Sequence, residues 1–340
     1  MCHNIANSIK MKFALILLFS TVSMNIQLFS QFGGGVGSVS APFQIWNSEH
    51  FIELIDSINT DNYRSSQDCW HCDKCFQLMQ DIDVVNQSIS YTDFKCSYFY
   101  GNEKKIIINL EKCLFSNIKG ILDNLTVNGY VNGWAGITAS VYVYSPPHSV
   151  PLTSIRRHCI NNATIECFPC TYTNLYGDIF YYQVGGIASA NHGTISHCIN
   201  NGSVSGVDRI GGIAADNSGQ VINCINTGKI TASNSGSGVG SGTGIAGIVA
   251  ISQFGHIINS INLGDVIGQD YVGGIQGQIV SSIINPSYMT NCSNYGYIKG
   301  RNFVGGILAN MFTTYVNIIN CVNTGIVEGE EDVGSIVGKE

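Results

Sequence analysis

One phrase, Cys-x-Asn-x-Gly-x-(Val/Ile)-x-Gly, returns down the second half of this chain and limits what it can fold into. Copies stand at 198–206, 224–230, 260–268, 292–300 and 321–329, the third with Ser260 in the cysteine position. Degenerate copies stand at 159–165 and 125–133. A second phrase, (Val/Ile)-Gly-Gly-Ile, is interleaved at 184–187, 210–213, 272–275 and 304–307, with variants at 245–248 and 333–336. From the cysteine position to the first glycine of the second phrase is 13 residues in four copies, and the shortest full period is 26, from Cys198 to Cys224. A constant internal spacing with variable insertions elsewhere is the mark of stacked coils, whose contacting positions are pinned by neighbours while outward loops lengthen freely.

The alternation of Cys, Asn, Gly and Val puts every second residue on one face, as in a half-buried strand. Stacking such coils about 4.8 Å apart predicts a ladder of Cys159, Cys198, Cys224, Ser260, Cys292 and Cys321, with asparagines hydrogen-bonded along a parallel column. Glycines fit the bends, where backbones approach closely. A helical array is excluded, because glycine recurs about every four residues at a cost of roughly 1 kcal/mol each in a helix interior. A propeller needs periods of about 40–45 residues, and a sandwich needs no near-identical repeats. The fold class expected is all-β, a right-handed parallel β-helix.

Composition agrees. Charged residues are 11% of the 340, glycine is abundant at 39 and proline scarce at 6. A net charge of -7 offers no basic footprint, so nucleic acid is not an expected partner. Lys10 and Lys12 lead into the apolar run 13–19, the pattern of a secretory signal within 1–30, with Met11 a possible start. That run is shorter than the roughly 20 apolar residues of a transmembrane helix; an uncleaved membrane anchor is the alternative. The rest divides into an N-terminal cap with first irregular coils at 42–120 and repeats at 121–340. Residues 48–58 place Phe51, Leu54, Ile55 and Ile58 on one helical stripe, with Asn47 or Ser48 as cap. This short helix is expected to cover the open end of the first coil. The final 333–340 begin a new phrase, which predicts a longer array or end-to-end association.

The two interleaved phrases, clearest at 184–206 and 210–230, resemble the GLUG-motif repeat proteins found on bacterial and protist surfaces. Such proteins often open with a helix, a strand ending Asp-Ile-Asp and an aromatic-x-Gly turn, and residues 45–54, 76–83 and 100–108 fall in that order. The resemblance spans about 42–340. It implies a secreted or cell-surface β-helix, often adhesin-like. The chain departs from the pattern by its ladder cysteines and by a long insertion at 167–182.

Thirteen cysteines in a secreted chain point to disulfides. Cys69, Cys72 and Cys75 with His71 also make a set of zinc-type ligands, but in one tight run, not two separated couples. The expected state is a disulfide cluster among Cys69, Cys72, Cys75, Cys96 and Cys113, with Cys167 and Cys170 closing their insertion and the ladder cysteines reduced. Sequons at Asn86, Asn124, Asn162, Asn201 and Asn291 are glycosylation candidates in a eukaryotic secretory pathway. No H-E-x-x-H, G-x-S-x-G or Walker loop occurs, and no metal or cofactor is expected. Asp265 and Asp270 are the carboxylates a degenerate carbohydrate-active enzyme would use, although a solvated turn is the simpler reading. Tyr142, Tyr144, Tyr172, Tyr176, Tyr181 and Tyr182 offer aromatic contacts in the insertions. The expected function is a non-catalytic binding scaffold for a host-cell or matrix protein or glycan. The alternatives are the carbohydrate-active enzyme and a self-associating structural protein.

Overall fold

Burial follows the alternation of the repeat phrase. In the computed structural model, Cys198, Asn200, Gly202, Val204 and Gly206 are buried, and the residues between them are half-buried or exposed. The structure describes residues 32–60, 74–87, 89, 93–94, 98–118, 120–141, 154–168, 171–173, 179–181, 183–233, 244–280, 286–311 and 315–339.

Each full coil feeds short strands into four parallel sheets. Sheet 1 has ten strands among the described residues, from Phe43–Ile45 through Thr194–Ser196 to Val316–Ile319. Sheet 2 takes both halves of the first phrase, as in Ile199–Asn200 and Val204–Gly206. Sheet 3 takes the start of the second phrase, from Val184–Gly185 to Glu331–Gly334, and sheet 4 runs from Asp93–Phe94 to Val337–Lys339. The insertion after Cys167 carries an antiparallel hairpin, Thr171–Thr173 with Ile179–Tyr181. The chain is therefore an all-β parallel β-helix.

Residues before 121 stack in register with those after. One inward column of sheet 1 runs Phe43, Phe76, Phe99, Leu122, Arg156, Ile195 and Val221. The early coils are filled by aromatic rings instead of Ile and Val: Phe43 lies 5.6 Å from Phe76, and Phe94 lies 5.6 Å from Phe99. Larger core side chains hide the phrase without changing the stacking.

The helix, Ser48–Thr60, lies where the stripe of Phe51, Leu54, Ile55 and Ile58 predicts, and all four are buried. Asn47 caps it, its Oδ1 accepting from the His50 amide at 2.8 Å. Phe51 packs 6.3 Å from Phe115, so the helix closes the first coil's end of the core. Val333 and Ile336 continue the columns of Val304 and Ile307.

The asparagine column is the spine of the array. Asn161, Asn200, Asn226, Asn262, Asn294 and Asn323 each donate or accept along the stack at 2.7–2.8 Å. The other Nδ2 hydrogen goes to the carbonyl two residues on, as from Asn200 to Gly202 at 2.9 Å. Each rung contributes about 1 kcal/mol, and a broken rung leaves a buried amide unsatisfied. The column also explains the double glycine. A Cβ on Gly212 would lie 2.5 Å from the Asn226 side chain and 2.1 Å from the Gly247 carbonyl. The second glycine of one coil thus makes room for the asparagine of the next, which ties the two phrases together.

Candidate functional site

The corner between sheets 1 and 2 is built from residues in the left-handed region: Asn124, His158, His197, Asn223, Asn259, Asn291 and Asn320, with φ between 50° and 57°. Asparagine reaches this region with less strain than most side chains. Here the side chains also form a second, outer ladder. His158 and His197 lie 5.2 Å apart, Asn223 meets His197 Nε2 at 2.9 Å, and Asn259 donates to Asn223 at 3.0 Å.

Where this corner meets the early coils, the outer face of sheet 1 carries a polar cluster. Strand alternation turns Phe99, Leu122 and Arg156 inward and Tyr98, Tyr100, Asp123 and Arg157 outward. Register then sets Asp123 between Tyr100 and Arg157. Tyr98 donates its hydroxyl to Asp123 Oδ2 at 2.5 Å, and Arg157 Nη2 reaches the same oxygen at 2.9 Å. Arg157 also donates to the Tyr98 hydroxyl at 2.7 Å, and His158 Nδ1 meets Asp123 Oδ1 at 3.0 Å. Burial pushes the Asp123 carboxyl up, but hydrogen bonds from Tyr98, His158 and Arg157 outweigh it and hold the group below the usual range. Burial and the bond to Asp123 push the Tyr98 phenol up. Asp123 is a fixed anion at neutral pH and a poor general acid.

A cavity of about 520 Å³ opens beside this cluster. Gln77, Tyr98 and Tyr100 line it together with Cys75 and Phe76. The N-terminal segment, through Val39, Ser40 and Pro42, forms a further wall, and Asp123 and Arg157 also line it. That volume lies within the range of small-ligand sites, about 300–1,000 Å³.

The residues singled out from the sequence are scattered. Cys159, Cys198, Cys224, Ser260 and Cys292 form the buried ladder with a half-buried Cys321, and the five cysteines are thiols in the structure. Cys75 and Cys113, two members of the expected disulfide cluster, are buried, and the other members Cys69, Cys72 and Cys96 lie outside the described residues. Cys113 donates to the Phe115 carbonyl at 3.1 Å, and burial pushes its thiol up to about 12. Cys75 sits under the N-terminal segment at the cavity wall. Cys167 is disulfide-bonded. Cys69, Cys72, Cys96 and Cys170 lie outside the described residues, as do residues 1–31, Tyr142, Tyr144, Tyr176 and Tyr182. Tyr172 and Tyr181 lie on the two strands of the hairpin. Among the described residues there is no group of metal-ligating side chains and no helix long and apolar enough to cross a membrane.

Four sequon asparagines, Asn86, Asn162, Asn201 and Asn291, are exposed, and Asn124 is half-buried. Asn201 donates to Asn162 at 2.8 Å, so these two share an outer rung. Asp265 is exposed, and its Oδ1 accepts from the Tyr297 amide at 3.3 Å. Asp270 is clamped by Arg301 at 3.0 Å and by Asn302 at 2.9 Å. Two carboxyls that spacing did not rank, Asp208 and Asp216, are pushed up by burial, with Arg209 opposing the shift in both.

No family model and no curated protein matches the sequence. Among solved structures the chain is similar to that of a "putative immunoglobulin A1 protease" from Bacteroides ovatus, with a TM-score of 0.50 and 18% identity. The match covers 86% of this chain and 78% of that one. At that identity the likeness extends to the fold alone.

Proposed function

We propose that this protein is a secreted or surface-displayed binding scaffold, without catalysis of its own, that holds a saccharide-class ligand on the outer face of sheet 1. One observation carries the reading: the cavity beside the Tyr98–Asp123–Arg157 cluster joins aromatic rings to planar hydrogen-bonding groups on a rigid sheet. Sugars are bound by such sets, with an aromatic face under the ring and fixed donors and acceptors at the hydroxyls. A binding role also fits an Asp123 that is already ion-paired and ionised, since a general acid needs a pKa near the working pH. The signal-like leader in 1–30 and the likeness to GLUG-motif surface proteins support display outside the cell, in an adhesin-like role toward a host-cell or matrix glycan.

The test is a glycan array followed by calorimetric titration of the best ligand. Tyr98→Ala and Asp123→Asn should each weaken binding at least tenfold, while Tyr130→Ala, on sheet 2, should not. Silence of the folded protein across neutral and acidic glycans would sink the reading.

A further inference from the structure

The outer column of sheet 1 beside the cavity runs Gln77, Tyr100, Asp123 and Arg157, one residue from each coil in turn. Neighbouring strands lie about 4.8 Å apart, so Gln77 stands about 10 Å from Asp123 with Tyr100 between them. All four line the cavity. An amide, an aromatic ring and an ion pair therefore stand in a row along one wall.

The two ends of that row differ in chemistry. At one end Asp123 and Arg157 neutralise each other at 2.9 Å. Both Asp123 oxygens are engaged, Oδ1 by His158 and Oδ2 by Tyr98 and Arg157. The Arg157 guanidinium also lies 5.9 Å from the centre of the Tyr98 ring, which commits Tyr98 to the ion pair and leaves Tyr100 as the ring for a ligand. This end has no spare charge, though its polar atoms can still meet hydroxyls.

The other end is apolar around one amide. Pro42 directly precedes the strand Phe43–Ile45, which pairs with Cys75–Leu78, so Pro42 and Val39 wall the cavity on the side of Gln77. Gln77 and Tyr100 are half-buried, and among the described residues neither the Gln77 amide nor the Tyr100 hydroxyl has a hydrogen-bond partner. A ligand that covers Gln77 without bonding to it leaves donors and an acceptor unsatisfied. The group that fits must touch an apolar wall and answer an amide at once.

We infer that the ligand of this cavity is an N-acetylhexosamine, with its acetamido methyl against Val39 and Pro42, its amide paired with Gln77, its ring on Tyr100 and its hydroxyls toward Asp123 and Arg157. The inference rests on the saccharide reading above and narrows it. Other sugars each leave something unmet. A plain hexose has only hydroxyls to set against the apolar wall. A uronate brings a carboxylate to an arginine already paired with Asp123, and displacing Asp123 would strand a buried charge. An unacetylated amino sugar brings a cation to a carboxylate whose two oxygens are taken.

The experiment titrates the isotope-labelled full chain with the methyl β-glycosides of N-acetylglucosamine, N-acetylgalactosamine, glucose and glucuronic acid, and reads each Kd from NMR shift changes. One of the acetamido sugars should bind at least about tenfold more tightly than glucose or glucuronate. Gln77→Leu, which keeps the bulk and removes the amide, should bring that sugar to within about threefold of glucose, with a melting curve to show that the variant is folded. Equal Kd values for the acetamido sugars and glucose overturn the inference, and so does tightest binding of glucuronate; in both cases the saccharide reading stands. Binding of none of these sugars overturns it too, while the broader reading falls only with a silent array.

Discussion

Arg156 and Arg157 are adjacent in the chain and face opposite ways: Arg156 is fully buried in the inward column between Leu122 and Ile195, while Arg157 stands outside against Asp123. Arg156 Nη1 donates to Ser154 Oγ at 2.7 Å and to the Gly120 carbonyl at 3.4 Å. Taking a guanidinium out of water costs several kcal/mol even when its donors are met, so apolar replacements of similar volume are commonly neutral or stabilising. Arg156→Met is therefore expected to hold stability or raise it by up to about 4 kcal/mol. Arg157→Ala should change it by less than about 1 kcal/mol. Urea denaturation of both variants checks this, and a marked loss in Arg156→Met contradicts it.

The inner and outer asparagine ladders should differ in cost. Asn226→Ala breaks two buried rungs and should cost about 1–3 kcal/mol. Asn201→Ala, on the exposed ladder, should stay within about 0.5 kcal/mol. Thermal melts followed by circular dichroism give the comparison, and equal losses would show that burial does not set the worth of a rung.

The left-handed corner makes a conformational prediction. At Asn223, with φ 54°, Asn223→Val forces a β-branched residue into the left-handed region at a cost of about 1–2 kcal/mol. Asn223→Gly removes that strain and should be the milder change. A melting temperature for glycine at or below that for valine refutes the assignment.

Much of the fold was legible because the phrase records columns: Cys198, Asn200, Gly202 and Val204 are buried as their spacing demands. The helix was legible from the stripe of Phe51, Leu54, Ile55 and Ile58. The early coils were not, because Phe76, Phe99 and Phe115 fill the core that Ile and Val fill later and leave no shared phrase. The Tyr98–Asp123–Arg157 cluster was hidden for another reason: its members come from three coils with no common local motif. A signal existed. Aligning Asn124-Leu125 with His158-Cys159 places Asp123 beside Arg157, but that step required trusting the degenerate copy at 125–133.

Acid should act on the carboxyls with opposite signs. A carboxyl held low in the folded state, such as Asp123, gives stability that is full above its unfolded pKa and is lost as pH falls through the folded value. Asp208 and Asp216 are held high, so they favour the folded state below their unfolded pKa and oppose it as pH rises through the folded values. Asp123→Asn should lower stability at pH 7 and flatten the loss below about pH 4. Asp216→Asn should raise stability at pH 7 and leave it unchanged near pH 3. Denaturation midpoints across pH 3–7 decide both, and curves parallel to the parent protein would show that these groups carry no such linkage.

The asparagine spine makes length a free variable. Every rung meets the next through the same atoms, so the surface offered by Asn161 to Asn200 is the surface Asn200 offers to Asn226. Excising the whole turn 198–223 would set Cys159 on Cys224 and Asn161 on Asn226, with each corner residue again under its own kind. Along this column one turn cannot be told from another. Genetic duplication or loss of whole turns can therefore lengthen or shorten the shaft without redesigning the spine, while the helix at one end stays where it is.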